Sequence, residues 1–323
     1  MSTHATKPGT AAYGGLARLI DRSGILLVFV ALFLLLALLV PNFFTLRNLQ
    51  GLLLSVSLIG SIAVTMMFVL GLGEVDLSVA SIVAFAGVAA SVVTTATGSV
   101  LVGVGAGLLA GALVGLANGL IVAALRINSL IATLATMEIV RGLAYISSHG
   151  DAVVISQERF FYVGSGALLG ISLPIWINLL LFLAFGWLLN YTVFGRNVLA
   201  IGGNSDAARL AGIAVKRVRI VVFVLQGLVA GLAGVLLASR MSLGDPKTSI
   251  GLELGVISAC VLGGVSLRGG VVSVSGVIVG VLIMGSVQNA MSLVNVPTFY
   301  QYVIRGGILL LAVLFDSLKQ ARR

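Results

Sequence analysis

The sequence predicts an all-α polytopic membrane protein, with about ten transmembrane helices arranged as a five-plus-five inverted repeat. Three observations carry that expectation. Of 323 residues, 59% are apolar and 9% charged, against about 45–50% and about 25% in soluble domains. So few charged side chains cannot cover a soluble globule of this size. Apolar runs recur at the length of about 20 residues that a helix needs to cross the hydrocarbon core. Finally, landmarks of the first half return in the second half in the same order.

The apolar runs fall at roughly 25–41, 53–71, 77–97, 101–124, 128–148, 173–191, 219–239, 252–267, 271–294 and 299–316. Lipid cannot satisfy bare backbone groups, so unbroken runs of this length are expected to be helices. The run 252–267 is the shortest and is expected to be tilted, broken or re-entrant, which leaves nine or eleven crossings as alternatives to ten. The chain then divides into a cytoplasmic N-terminal tail (1–24), a transmembrane domain (25–316, with halves of about 25–148 and 173–316) and a cytoplasmic C-terminal tail (317–323). The run from Ile25 to Val40 leads into Pro41-Asn42 without a small-x-small site, so it is expected to stay in place rather than be cleaved as a signal.

Lys and Arg orient the spans. With the N-terminus inside, thirteen basic residues fall on the cytoplasmic side and four on the other, while Arg141 and Arg305 lie inside spans. This bias places both termini in the cytoplasm. It also explains the net charge of +9 without invoking nucleic acid, and no nucleic-acid partner is expected.

The repeat rests on four matches. Arg47-Asn48-Leu49 returns as Arg196-Asn197-Val198, and Asp76-Leu77-Ser78-Val79-Ala80-Ser81 as Glu253-Leu254-Gly255-Val256-Ile257-Ser258. Asn118, late in the fourth span, corresponds to Asn289 in the ninth; Val140-Arg141-Gly142 corresponds to Ile304-Arg305-Gly306. Each match is shifted by five spans, so the second copy enters the membrane inverted, as in many transporters. Coincidence within a common membrane composition is the alternative. In the fourth span Gly103, Gly107, Gly111, Gly115 and Gly119 form a bare stripe, partly echoed by Gly276 and Gly280 in the ninth. Such stripes let helix backbones meet, and a packing role is expected for both.

Several chemistries are excluded. One cysteine, Cys260, and two histidines, His4 and His149, rule out a disulfide framework and thiolate or His-rich metal sites. No Gly-Lys dipeptide occurs, so there is no phosphate-binding loop of the GxxxxGK[ST] kind. Gly71-Leu72-Gly73-Glu74 reads as a helix break. No catalytic constellation is available; neither enzyme activity nor a cofactor is expected. Glu138 and Arg141, spaced i, i+3, are expected to neutralise each other rather than relay protons.

With no nucleotide site of its own, the chain has to take energy from elsewhere. The longest cytoplasmic loop, 190–219, holds a segment suited to meeting a partner. Asn204 is a good N-cap, Asp206 lies in the first turn where the helix dipole favours an acid, and Gly212 is a natural stop. The short helix between them presents Ala207, Leu210 and Ala211 on one face, suited to a partner's groove, while Arg209 can pair with an acid at its rim. A solvated loop helix without a partner is the alternative.

Three stretches carry a family likeness: Glu74 through Ser81, Phe194-Gly195-Arg196-Asn197 through Gly212-Ile213, and Gly251-Leu252-Glu253-Leu254 through Leu262-Gly263-Gly264-Val265-Ser266-Leu267. They resemble the sugar-importing ABC permeases of the ribose/xylose/arabinose group, and the likeness runs from about Pro41 to Asp316. The stretches Ile131 through Met137, Ile139 through Tyr145, Ala238-Ser239-Arg240-Met241 and Ile257-Ser258-Ala259-Cys260 look most like its arabinose branch. Glu138 departs from the pattern, where an uncharged glutamine is expected.

The resemblance implies a multi-pass protein of the bacterial inner membrane that imports a monosaccharide, L-arabinose as the first expectation, with ribose, xylose, a nucleoside or a furanone signal as alternative cargoes. It implies a second permease copy, a cytoplasmic ATP-binding-cassette ATPase, a periplasmic sugar-binding protein and surrounding membrane lipid as partners. Asn204, Asp206, Ala207, Arg209, Leu210, Ala211 and Gly212 are then expected to couple to the ATPase. Asp76, Ser78, Ser81, Asn118, Glu253, Ser258 and Asn289 are expected to border the translocation pathway, with simple helix capping as the alternative for the two acids. An ion-driven secondary transporter is the other class that an inverted repeat permits.

Overall fold

A computed structural model describes residues 10–321; the ends of the two expected tails, 1–9 and 322–323, lie outside the described residues. The order is α1 (Thr10–Leu39), α2 (Leu46–Gly71), α3 (Val79–Thr97), α4 (Val100–Ala123), α5 (Ser129–Ser147), β1 (Val153–Val154), α6 (Glu158–Ser165), β2 (Ala167–Leu168), β3 (Ile171–Ser172), α7 (Leu173–Tyr191), α8 (Val193–Gly203), α9 (Ser205–Leu210), α10 (Val215–Met241), β4 (Leu243–Gly244), α11 (Leu252–Leu262), α12 (Val274–Leu293) and α13 (Thr298–Ala321). Each of the ten apolar runs carries a helix. Seven of these, α2, α3, α4, α5, α7, α10 and α12, are long and apolar enough to cross a membrane; the apolar stretches 24–39, 252–262 and 298–314 are shorter.

Local chemistry sets the boundaries. Thr45, Ser99, Asn128 and Ser273 each accept a hydrogen bond from a backbone N–H in the first turn of the helix that follows, which satisfies donors a helix start leaves bare. The expected break after the second span is present: α2 ends at Gly71 and Gly73 has φ +75°. Helix α11 is eleven residues long, a rise of about 16 Å, roughly half the hydrocarbon thickness. The chain on either side of it is loop. Between α5 and α7, β1 pairs antiparallel with β4 and β2 with β3, so the segment after α5 is clipped to the segment after α10.

Helix α2 is the centre of the bundle, with Ile62, Ala63, Val64, Met66, Met67, Val69 and Leu70 all at 0% exposure. Packing around it has a regular plan. Helix α4 lies against α3 and α10, and α12 against α11 and α2; α5 covers α3, and α13 covers α11. The glycine stripe of α4 brings its backbone against that of α10. A Cβ on Gly111 would lie 2.8 Å from the Gly231 Cα of α10, one on Gly115 3.1 Å from the Gly227 Cα, and one on Gly119 2.9 Å from the Ile220 Cα. The backbones touch, so only glycine fits. On α12, Gly276 and Gly280 meet the backbone of α11 at Gly263 and Ala259. Outward faces carry Leu101, Leu109, Leu180 and Leu183, all more than half exposed, as a hydrocarbon-facing surface requires.

Candidate functional site

At one end of the bundle the segment between α7 and α10 is largely helical. Asn204 Oδ1 accepts from Asp206 N at 3.1 Å and Ala207 N at 2.9 Å, which starts α9. Ala211 N donates to Ala207 O and Gly212 N to Arg209 O, both at 3.0 Å, and Gly212 at φ +84° ends the turn. Ala208 is seated in the core, while Ala207, Leu210 and Ala211 face outward, Leu210 at 90% exposure. Arg209 lies 3.8 Å from Asp206 across an exposed turn, an arrangement that holds neither side chain firmly.

Beside α9 lies an open groove of about 1230 Å³, lined by Arg126, Arg209, Lys216, Arg217 and Arg219 together with Glu74 and Asp206. Lys216, Arg217 and Arg219 belong to the start of α10 rather than to the loop expected there. Arg219 pairs with Glu74 at 3.2 Å, tying α10 to the break between α2 and α3. The segment that carries α9 rests on backbone: a Cβ on Gly202 would lie 2.5 Å from Gly270 N, and Gly270 N donates to Gly71 O at 2.9 Å. The end of α2 and the loop between α11 and α12 therefore meet directly under the segment that carries α9.

Asp76, Ser78 and Asn118 form one buried network, each at 0% exposure. Asp76 Oδ1 accepts from Ser78 N at 2.9 Å and from Ser78 Oγ at 2.6 Å, and Asn118 Nδ2 donates to Ser78 Oγ at 2.8 Å. Asp76 thus braces the start of α3, and Asn118 ties α4 to it. Asp76 Oδ2 and Asn118 Oδ1 have no donor, nor does Ser81 Oγ have a partner. Burial without a cation lifts the Asp76 carboxyl from 3.8 to about 6, against the opposing pull of the Ser78 hydrogen bonds.

The other pathway candidates are dispersed. Asn289 exchanges two hydrogen bonds with Asn48, at 2.9 and 3.0 Å, which clamps α12 to the start of α2. Ser258 donates to Leu254 O at 2.6 Å within α11. Glu253 is partly buried, with Oε2 unpartnered. Arg141 corrects an expectation: rather than pairing with Glu138, its Nη1 donates to Pro246 O at 2.6 Å and Thr248 O at 2.9 Å. Two backbone carbonyls offer a fixed fork, whereas Glu138 points out of the bundle.

Near Glu253, at the end of the bundle away from α9, a cavity of about 270 Å³ is lined by Ser55, Arg240, Thr248, Ser249, Gln288 and Arg305 among others. Sequence reasoning passed over these residues, although Arg305 lay inside a span, where an ionisable group marks a site by default.

Residues 48–313 match the family described as branched-chain amino acid transport system / permease component. The L-arabinose ABC transporter permease protein AraH of Azospirillum brasilense is 71% identical over 312 residues, covering 97% of this chain and 92% of that protein. The L-arabinose transport system permease protein AraH of Escherichia coli (strain K12) is 56% identical, covering 94% and 92%. The ribose import permease protein RbsC of the same strain is 39% identical, covering 87% and 88%. No solved structure matches. With the matched region spanning most of the chain, this protein belongs to the family of branched-chain amino acid transport system permease components.

Proposed function

We propose that the chain is the membrane-spanning permease subunit of an ATP-binding-cassette importer that carries L-arabinose inward across the bacterial inner membrane. The observation that carries the cargo is the 71% identity to an L-arabinose permease over 97% of the chain. The ribose permeases at 39% identity make ribose the second reading.

ATP hydrolysis takes place in a separate cytoplasmic subunit, and a periplasmic sugar-binding protein delivers the sugar. A second permease copy completes the pore, within membrane lipid. Asn204, Asp206, Ala207, Arg209, Leu210, Ala211 and Gly212 meet the ATPase. The exposed apolar edge of α9 supports this, because burying a leucine contributes about 1.5–3 kcal/mol to a contact. The basic groove beside α9 suits an acidic rim on that partner. Both termini lie on the same, cytoplasmic side as α9.

The ten helices are read as two inverted sets of five, with 25–148 and 173–316 as the halves. Matched packing supports the pairing: α4 on α3 and α10 corresponds to α12 on α11 and α2, and α5 on α3 to α13 on α11. Asp76, Ser78, Ser81, Asn118, Glu253, Ser258 and Asn289 border the pathway, with helix capping as the second reading for the two acids.

Uptake of labelled L-arabinose, ribose, xylose and galactose tests this reading, in a strain without its own pentose permeases and supplied with the ATPase and binding protein. L-Arabinose is expected to be taken up fastest and only when the ATPase is present. Uptake by the permease alone in proteoliposomes under a sodium or proton gradient would replace the importer with an ion-driven transporter.

A further inference from the structure

The cavity lined by Ser55, Arg240, Thr248, Ser249, Gln288 and Arg305 is built from α2, α10, the loop 245–251, α11, α12 and α13. Helix α10 fixes its level. Lys216 in the first turn lines the groove beside α9, and Arg240 in the last turn lines the cavity. Twenty-four residues of helix separate the two by about 36 Å. If α9 meets the ATPase, the cavity lies at the face where sugar arrives.

Its chemistry is that of a neutral polyol site. A guanidinium presents N–H donors in a planar fork, which fits the oxygens of neighbouring hydroxyls on a sugar ring. Gln288 supplies a donor and an acceptor, and the Ser55, Thr248 and Ser249 hydroxyls supply both. Leu58, Ile59, Leu237 and Met284 form the apolar part of the wall, against which the C–H face of a ring can lie. The volume of about 270 Å³ is just under the roughly 300–1,000 Å³ typical of larger ligands, a size for a five-carbon sugar.

Two lining atoms, Arg305 Nε and Ser249 Oγ, are buried without a hydrogen-bond partner, a costly state that a bound polar group relieves. The wall is also held in place. Ser249 has φ +64° and Ser242 φ +54°, conformations that persist only when the surroundings enforce them. Arg141 holds the chain next to Ser249 through its bonds to Pro246 O and Thr248 O, and Ile155 N, donating to Ser242 O at 2.9 Å, holds Ser242. The Arg305 guanidinium carbon lies 5.8 Å from the centre of the Tyr302 ring, which fixes the other side. Glu253, between the lining residues Leu252 and Gly255, carries a negative charge at the rim that offsets one of the two guanidinium charges.

We propose that this cavity is where the permease receives a neutral pentose, with Arg240, Gln288 and Arg305 as its recognising side chains and Arg141 as the positioning residue. The proposal rests on the importer reading above. Uptake by the wild-type complex tests that reading separately: if no pentose is taken up, the importer assignment fails whatever the cavity binds.

The cavity itself is tested with Gln288→Cys in the full-length permease, labelled by a membrane-impermeant methanethiosulfonate. The native Cys260 is fully buried and contributes little background. Saturating L-arabinose is expected to slow labelling at least threefold; equal rates with and without each pentose overturn the proposal. Labelling in phosphatidylcholine vesicles with and without phosphatidylglycerol distinguishes a lipid headgroup as occupant. Slowing by phosphatidylglycerol and none by sugar also overturns it. Arg305→Lys keeps the charge and removes the fork, and is expected to lower L-arabinose uptake at least fivefold with insertion and ATPase association unchanged. Normal uptake by inserted Arg305→Lys counts against the proposal; if that variant does not insert, the protection experiment decides alone.

Discussion

Helices α3 and α11 begin alike, Asp76-Leu77-Ser78 and Glu253-Leu254-Gly255, yet the two acids reach opposite surroundings. Asp76 is sealed in the core, bonded to Ser78 and through it to Asn118. Glu253 is partly exposed beside a polar cavity. The helices start at different points, since Asp76 lies three residues ahead of α3 and Glu253 is the second residue of α11, and one side chain differs as well. Where α3 has Ser78, α11 has Gly255, which offers Asn289 no hydroxyl; Asn289 instead pairs with Asn48. One start is a sealed joint between α3 and α4 on the α9 side, and the other borders an open cavity at the far end.

The largest expected effect sits on α9. Leu210→Asp should leave the spans inserted, since residue 210 is exposed and outside the long apolar helices, while uptake falls at least tenfold and the ATPase no longer co-purifies. Normal uptake with a normally bound ATPase removes α9 from coupling.

Next in size is Asp76→Asn. The folded carboxyl titrates at about 6 against 3.8 unperturbed, so the folded state holds its proton more tightly. No penalty exists below about pH 4; it builds as pH rises through about 6 and remains above that. A shift of about two units corresponds to about 3 kcal/mol. Asn keeps the acceptor and removes the charge, so the thermal midpoint in detergent should rise at pH 7.5 and match the wild type near pH 4. A midpoint that falls at pH 7.5 shows that the charge is stabilised after all. A loss of uptake despite the gain in stability assigns Asp76 to the pathway itself.

Ser78→Ala tests whether the network is held by the hydroxyl that α11 lacks. Asn118 Nδ2 loses its acceptor and Asp76 Oδ1 a donor, at a cost of about 1–3 kcal/mol, read as a lower thermal midpoint. An unchanged midpoint means the hydroxyl does not distinguish the two starts. The smallest effect belongs to Glu253→Gln, where partial exposure keeps the change in stability within about 0.5 kcal/mol. A drop as large as that of Ser78→Ala shows that Glu253 too is a structural acid.

Much of this was legible in the chain alone. Apolar runs of membrane length located ten helices, because water-free surroundings leave the backbone no alternative. Asn204 and Gly212 marked the ends of α9 and the Gly71–Gly73 break the end of α2, because caps and left-handed turns are local chemistry read within a few residues. The glycine stripe of α4 announced close packing, since only a bare helix face admits another backbone. What the chain did not reveal was partnership across long separations. That Arg141 holds the carbonyls of Pro246 and Thr248, that Asn48 pairs with Asn289 across 241 positions, and that Arg240, Gln288 and Arg305 share one cavity were decided by the tertiary structure. A polar side chain in a membrane protein takes whichever partner the packed helices bring within about 3 Å, and that distance is set by how the helices pack, not by their separation along the chain.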